Sequence, residues 1–197
     1  MNHKRLMATL AVACAAAFAT AGGAGATTVT PAGATVTATN SGSIRFVHPL
    51  ATVTCDEFTG TGTVPNSPDN ESPDGSVVAS FAAPSFGSCS FLFFPVEVLT
   101  FGTWTLTFMR LSGGLVLSSL VLPDEATLLR FERCLMTASW TSAVPIVGRW
   151  EQATSTTLVS LQQSPYKQTG ASCPAAVPFI AISGTIRLSA EGGFRVS

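Results

Sequence analysis

"TWTLTFM", residues 103–109, decides the fold. Trp104, Leu106 and Phe108 alternate with Thr103, Thr105 and Thr107, and that period of two belongs to a strand with one buried face and one wetted face. The alternation recurs in "SIRFVH", 43–48, where Ile44 and Phe46 point one way and Arg45 the other. Working outward, further strands are predicted over 34–39, 51–54, 76–82, 90–94, 96–101, 115–121, 126–131, 134–141, 146–151, 154–161 and 178–188. Only "DEATLLRFERCL", 124–135, carries a helical signal, with Leu128, Phe131 and Leu135 at i, i+3 and i+7 behind a Pro-Asp-Glu start. The β-rich sequence on both sides of it assigns it to the sheet as well.

Charged residues make up 11% of the chain and apolar ones 46%. The polar remainder is mostly Thr, Ser and Gly, which suits strands whose outer faces are wetted by hydroxyls, and the apolar content is too high for disorder. "GTGTVPNSPDNESPDGS" (60–76), "SGG" (112–114) and "QQSPYKQTGASCP" (162–174) concentrate the breakers and are predicted as exposed loops. Short strands punctuated in this way predict an all-β fold, an antiparallel β-sandwich built as one domain or as two small lobes meeting near Ser112–Gly114.

Residues 1–26 have the three parts of a secretory signal: a basic start at Lys4-Arg5, an apolar run from Leu6, and a small-residue exit at Ala24-Gly25-Ala26. Cleavage there leaves a single mature β domain, 27–197, with no transmembrane segment, since the run is Ala-rich and breaks at Gly22-Gly23. Cys14 raises a lipid-anchored alternative, but Ala11 stands where that signal wants Leu, and the apolar run continues past the Cys. Losing Lys4 and Arg5 takes the 10 basic residues to 8 against 11 acidic ones, a formal charge of −3 that attracts neither nucleic acid nor anionic membranes.

Four cysteines remain in the mature chain, Cys55, Cys89, Cys134 and Cys173, and an even number in an exported protein reads as two disulfides. Three connectivities are open. Loop-closure entropy separates them by only about 1 kcal/mol, so the preference for Cys55–Cys89 and Cys134–Cys173 rests on sequence neighbours being spatial neighbours. A metal site would space its ligands far more closely, as in C-x-x-C, so no metal or cofactor is expected.

"SGSIRF" (41–46) and "SGTIRL" (183–188) are near copies, yet a tandem copy of Cys55 would fall on Ser197, so they are not a domain repeat. They read as the same Gly-assisted bend entering a half-buried strand, placed where the two could pair.

Candidate chemistry is thin. His48 is the one histidine of the mature chain and is expected as a strand-end surface residue, without the partners a hydrolytic triad or a metal site needs. "GASCP", 170–174, starts like a nucleophile elbow but places Pro174 at the second Gly. "DNESPDG", 69–75, falls short of a calcium loop, with Ser80 at the twelfth position where Glu belongs. Asp56-Glu57 and Asp124-Glu125 are adjacent acids, which on a strand point to opposite faces. A glycan hydrolase would need two converging carboxylates in an aromatic cleft, with Glu97, Glu132 or Glu151 beside Trp140 or Trp150; the alternative for the tryptophans, Trp104 included, is core.

Several features together resemble a group of uncharacterised secreted actinobacterial proteins. They are the A-x-A exit, T-x-T-Cys55, F-x-x-Cys89, G-x-Trp104-x-Leu106, Cys134, Gly148-Arg149-Trp150, Cys173-Pro174 and Ile182-Ser183-Gly184-Thr185. The resemblance implies a secreted disulfide-bonded β-sandwich and assigns no reaction. A fainter similarity is to secreted chromoprotein carriers. The expectation is therefore an extracellular or cell-surface protein that binds an unknown protein, glycan or small molecule, without a catalytic residue; a secreted carboxylate-dependent glycan hydrolase and a small-molecule carrier are the alternatives.

Overall fold

The computed structural model describes residues 25–73, 75–171, 173 and 179–197. The signal segment as far as Ala24, with Lys4, Arg5 and Cys14, lies outside the described residues, as does Pro174. The chain is all-β, with no helix among the described residues. In chain order the strands are β1 (Thr27–Thr30), β2 (Thr35–Asn40), β3 (Ile44–His48), β4 (Ala51–Thr63), β5 (Glu71–Ser72), β6 (Ser76–Ala82), β7 (Ser85–Phe91), β8 (Phe94–Pro95) and β9 (Glu97–Thr100). There follow β10 (Thr103–Arg110), β11 (Val116–Val121), β12 (Thr127–Phe131), β13 (Cys134–Ala138), β14 (Ile146–Glu151), β15 (Thr156–Ser164), β16 (Tyr166–Thr169), β17 (Ile180–Ala190) and β18 (Arg195–Val196).

Eight of them form a closed antiparallel barrel in the order β2-β17-β15-β14-β11-β10-β6-β4, with β4 returning to pair with β2. Closure corrects the expectation of a plain sandwich. Alternation in a sequence records one buried and one wet face, but it is silent on whether the buried face meets a second sheet or the far side of its own. Trp104, Leu106 and Phe108 turn inward as their spacing requires and are buried. Side chains of this kind each contribute about 1.5–3 kcal/mol on burial.

Two strands are long enough to serve two neighbours in turn. Thr59–Thr63 of β4 pair with β2, whereas Ala51–Cys55 pair with β3; along its other edge β4 pairs with β7 and then, at Gly62–Thr63, with β6. β17 pairs with β2 through Ile186–Ala190 and with β3 through Ala181–Ser183. Beyond the barrel the sheet therefore continues through β7, β4, β3 and β17, and a separate sheet, β16-β13-β12-β9, packs over it. Phe46 meets Trp140 at 6.3 Å and Phe91 meets Phe131 at 6.5 Å across that contact. At the barrel's other end a small sheet, β18-β1-β5, closes the mouth over Phe108, Trp150 and Phe194, whose rings lie 5.4–5.7 Å apart.

The near-repeats meet where the barrel gives way to its extension. Ile182 lies opposite Phe46 and Ser183 opposite Arg45, and the Ser41 N–H donates to the Thr185 carbonyl at 2.8 Å. A side chain at Gly184 would collide with Ile44, so glycine is what permits the close crossing. Ser41–Ser43 break the strand between β2 and β3, which redirects the chain out of the barrel wall.

Elsewhere strand replaces predicted loop. β4 runs to Thr63, through the first residues of the expected 60–76 loop, because Gly60 and Gly62 are packing residues there and not breakers. The Phe81 ring lies over Gly62, where a Cβ would come within 2.6 Å of it. β16 lies inside the expected 162–174 loop, and β12 and β13 take up the segment with the helical signal. Ser112–Gly114 are the tip of the β10–β11 hairpin, whose strands pair from Arg110 and Val116 onward.

Candidate functional site

Both disulfides are formed, Cys55–Cys89 and Cys134–Cys173. Cys55 and Cys89 face each other directly across β4 and β7, so the bond clamps the root of the hairpin that β7 makes with β8. Phe91 pairs with Phe94, which leaves Leu92–Phe93 as a two-residue turn. A two-residue turn with left-handed backbone at its first position takes Gly there; here Leu92 adopts that backbone, at φ 54°. The side chains are thrown outward, Leu92 70% exposed, Phe93 97% and Phe94 56%. Beneath them Phe91 packs on Phe131, and the Val96 N–H donates to the Cys89 carbonyl at 2.9 Å.

A second apolar turn emerges at the same edge. Val53 of β4 lies opposite Phe91, so two residues earlier Ala51 sits level with Phe93, and the β3–β4 turn holds Pro49 and the exposed Leu50. His48 supports that turn. Contrary to its expected surface position it is buried, with Nδ1 accepting the Leu50 N–H at 3.1 Å and Nε2 lying 3.0 Å from the Tyr166 hydroxyl. With Nδ1 as acceptor, the neutral ring carries its proton on Nε2. Burial disfavours the imidazolium and holds the His48 pKa below its ordinary value.

Behind the hairpin lies an open cleft of about 770 Å³ between β7 and β9. Bridges lie near its ends, the Val96–Cys89 bond between the strands and the Thr100 hydroxyl donating to the carbonyl of Pro84, just before β7. Glu97, Arg130 and Glu132 line it. Arg130 pairs with Glu97 at 3.1 Å, both half-exposed. Glu151 lies elsewhere, beside Trp150 at the plugged end of the barrel. Trp104, Trp140 and Trp150 are all buried, and their indole N–H groups donate to Phe101 O, Gln162 O and Gln152 Oε1. The cleft thus brings together two of the three glutamates and none of the tryptophans.

The barrel interior offers less room. Its central cavity, about 30 Å³, is walled by Trp104, Leu106, Leu120, Ile146 and Leu188 together with Ser118 and Thr157, whose hydroxyls have no hydrogen-bond partner among the described residues. That volume suits one or two water molecules, whereas ligand pockets usually span about 300–1,000 Å³.

The remaining polar candidates are structural. Asp56 accepts from Ser43 at 2.8 Å, Glu57 from Ser88 at 3.3 Å, and Lys167 pairs with Glu125, whose hydrogen bond and charge raise the lysine pKa. Asn70, in the calcium-like stretch, is buried and donates to the Val29 carbonyl. Among the described residues no cluster of three His, Cys, Asp or Glu could hold a metal ion, and no helix is long and apolar enough to cross a membrane. Comparison with family models, curated proteins and solved structures finds no match.

Sequence reasoning reached the two cysteines that clamp this end and overlooked its apex. The missed signal is "FLFFP", 91–95, four large apolar residues with no alternation. In an exposed turn such a run is a departure from turn chemistry.

Proposed function

We propose that this chain is an exported, disulfide-bonded β-protein that works outside the cytoplasm by binding, without catalysis, and that the β7–β8 hairpin is its contact surface. The observation that carries the reading is Phe93, 97% exposed at the apex of a turn whose backbone is clamped by Cys55–Cys89. Stable proteins do not hold large apolar groups in water at a braced and strained position without use for them. Two disulfides fit an oxidising compartment, as does the signal-like 1–26 segment.

The test is fractionation of a producing culture into medium, cell wall and membrane. Wild type should be retained by the envelope with all four cysteines of the mature domain blocked to thiol reagents. Leu92→Asn/Phe93→Gly should shift to the medium. Equal partition of the two proteins would count against the hairpin as contact surface.

A second reading has one observation in its favour, that Glu97 and Glu132 share the cleft. Were the protein a glycan hydrolase, Glu97→Gln or Glu132→Gln would abolish reducing-sugar release from cell-wall glycan. On the binding reading no release occurs and neither variant alters partition.

A further inference from the structure

We infer that the partner of the hairpin is the surface of a lipid bilayer, into which Leu92, Phe93 and Phe94 insert with Leu50 beside them; the inference rests on the binding role proposed for this hairpin. Shape is the first argument. The exposed residues sit on a two-residue turn that projects from a paired β-hairpin, a convex wedge that a fluid apolar phase receives without a matching pocket.

Charge is the second. From Cys89 to Val96 the hairpin holds no ionisable residue, and the nearest carboxylate along the chain, Glu97, is paired with Arg130 in the cleft. A wedge free of charge enters the headgroup and acyl boundary without the several kcal/mol that a desolvated ion costs.

Backbone satisfaction is the third. A lipid phase penalises every unpaired N–H and C=O. Phe91 and Phe94 pair across the turn and Pro95 has no N–H to leave unpaired, so what remains to be hydrated at the interface is the turn and the open outer edge of the two-residue β8.

Because the mature chain is weakly acidic, at 8 basic against 11 acidic residues, insertion should be driven by apolar burial and not by attraction to anionic headgroups.

The experiment is vesicle flotation of the oxidised mature protein, using vesicles of phosphatidylcholine alone and vesicles made anionic with phosphatidylglycerol. Wild type should float with both and should stay bound at high salt, where screening removes electrostatic contacts. Phe93→Trp should show a blue-shifted emission on mixing and quenching by brominated acyl chains. Leu92→Asn/Phe93→Gly puts at 92 a residue that tolerates left-handed backbone, so it should fold, as circular dichroism and melting will check, and bind at least about tenfold more weakly. Failure of wild type to float with either vesicle would overturn the inference. So would flotation confined to anionic vesicles and lost in salt, undiminished flotation of the variant, or a dimer in sedimentation that the variant abolishes. If wild type ignores vesicles while the variant still loses envelope retention, the lipid partner is wrong and the binding reading stands, with a wall protein or glycan as occupant.

Discussion

The two ends of the molecule use the same residues in opposite ways. At the plugged end Phe108, Trp150 and Phe194 form a buried cluster, 0%, 4% and 3% exposed, roofed by β1 and β18. At the hairpin end Phe93 and Phe94 stand 97% and 56% exposed, on a hairpin whose first strand, β7, is cross-linked to β4. The chain is plainly able to cover aromatics with short strands where stability requires it. On the binding role proposed, the apex is left bare for a partner, while the rigidity beneath it comes from a covalent clamp and not from an apolar roof.

The comparison can be broken most severely at the plug. Trp150→Ala should destabilise the protein by about 3–5 kcal/mol, read by denaturant melts, and any folded fraction should bind as wild type does. If Phe93→Ala cost as much, the two ends would not differ and the contrast between a structural end and a binding end would collapse. Next in size is the clamp. Cys55→Ala/Cys89→Ala should cost roughly 2–4 kcal/mol and weaken binding in addition, whereas Cys134→Ala/Cys173→Ala should cost a similar amount of stability and leave binding nearer to wild type.

A smaller effect is expected from acid. The buried His48 has a lowered pKa, so between that value and the ordinary pKa near 6.5 the unfolded chain holds more protons than the folded one. Stability should accordingly fall as pH drops below about 6.5 and stop falling once the folded-state ring is protonated. His48→Gln should flatten that slope in urea melts taken across the range. Protonation also converts Nδ1 from acceptor to donor and so removes the Leu50 bond, and amide exchange at Leu50 should quicken in the same window. Smallest of all, Leu92→Asn/Phe93→Gly should change stability by less than about 1 kcal/mol, because relief of left-handed strain by Asn at 92 is offset by the freedom Gly gives the unfolded chain at 93. A loss well beyond about 1 kcal/mol would mean that the tip packs on something within the molecule.

How much of this was legible in the sequence follows from what local patterning can encode. Period-two alternation around Trp104 located the buried faces, the even cysteine count indicated two disulfides, and the closeness of sequence neighbours selected the pairing that the structure shows. The meeting of Ser41–Phe46 with Ser183–Leu188 was legible because one bend demands one set of small residues on both strands. Closure was not legible, since it depends on β4 finding β2 and β6 with the half of its length that Asp56, Gly60 and Gly62 disguise as loop. His48 was misplaced for a related reason. Its cover comes from Tyr166 on β16, a strand hidden in Pro- and Gly-flanked polar sequence. The apex escaped notice because exposure is a tertiary property, and a run such as Phe91–Phe94 reads as core until the turn is located.

One consequence follows from β4 and β17, which are each held in common by the barrel and its extension. Neither part can melt or swing while the other stays intact, because the same two ribbons would have to be torn from both. Heating should therefore give a single calorimetric transition, with enthalpies from the calorimeter and from the curve's shape in agreement. On the binding role proposed, contact at the apex has no hinge along which to be passed on, and its effect stays at that tip.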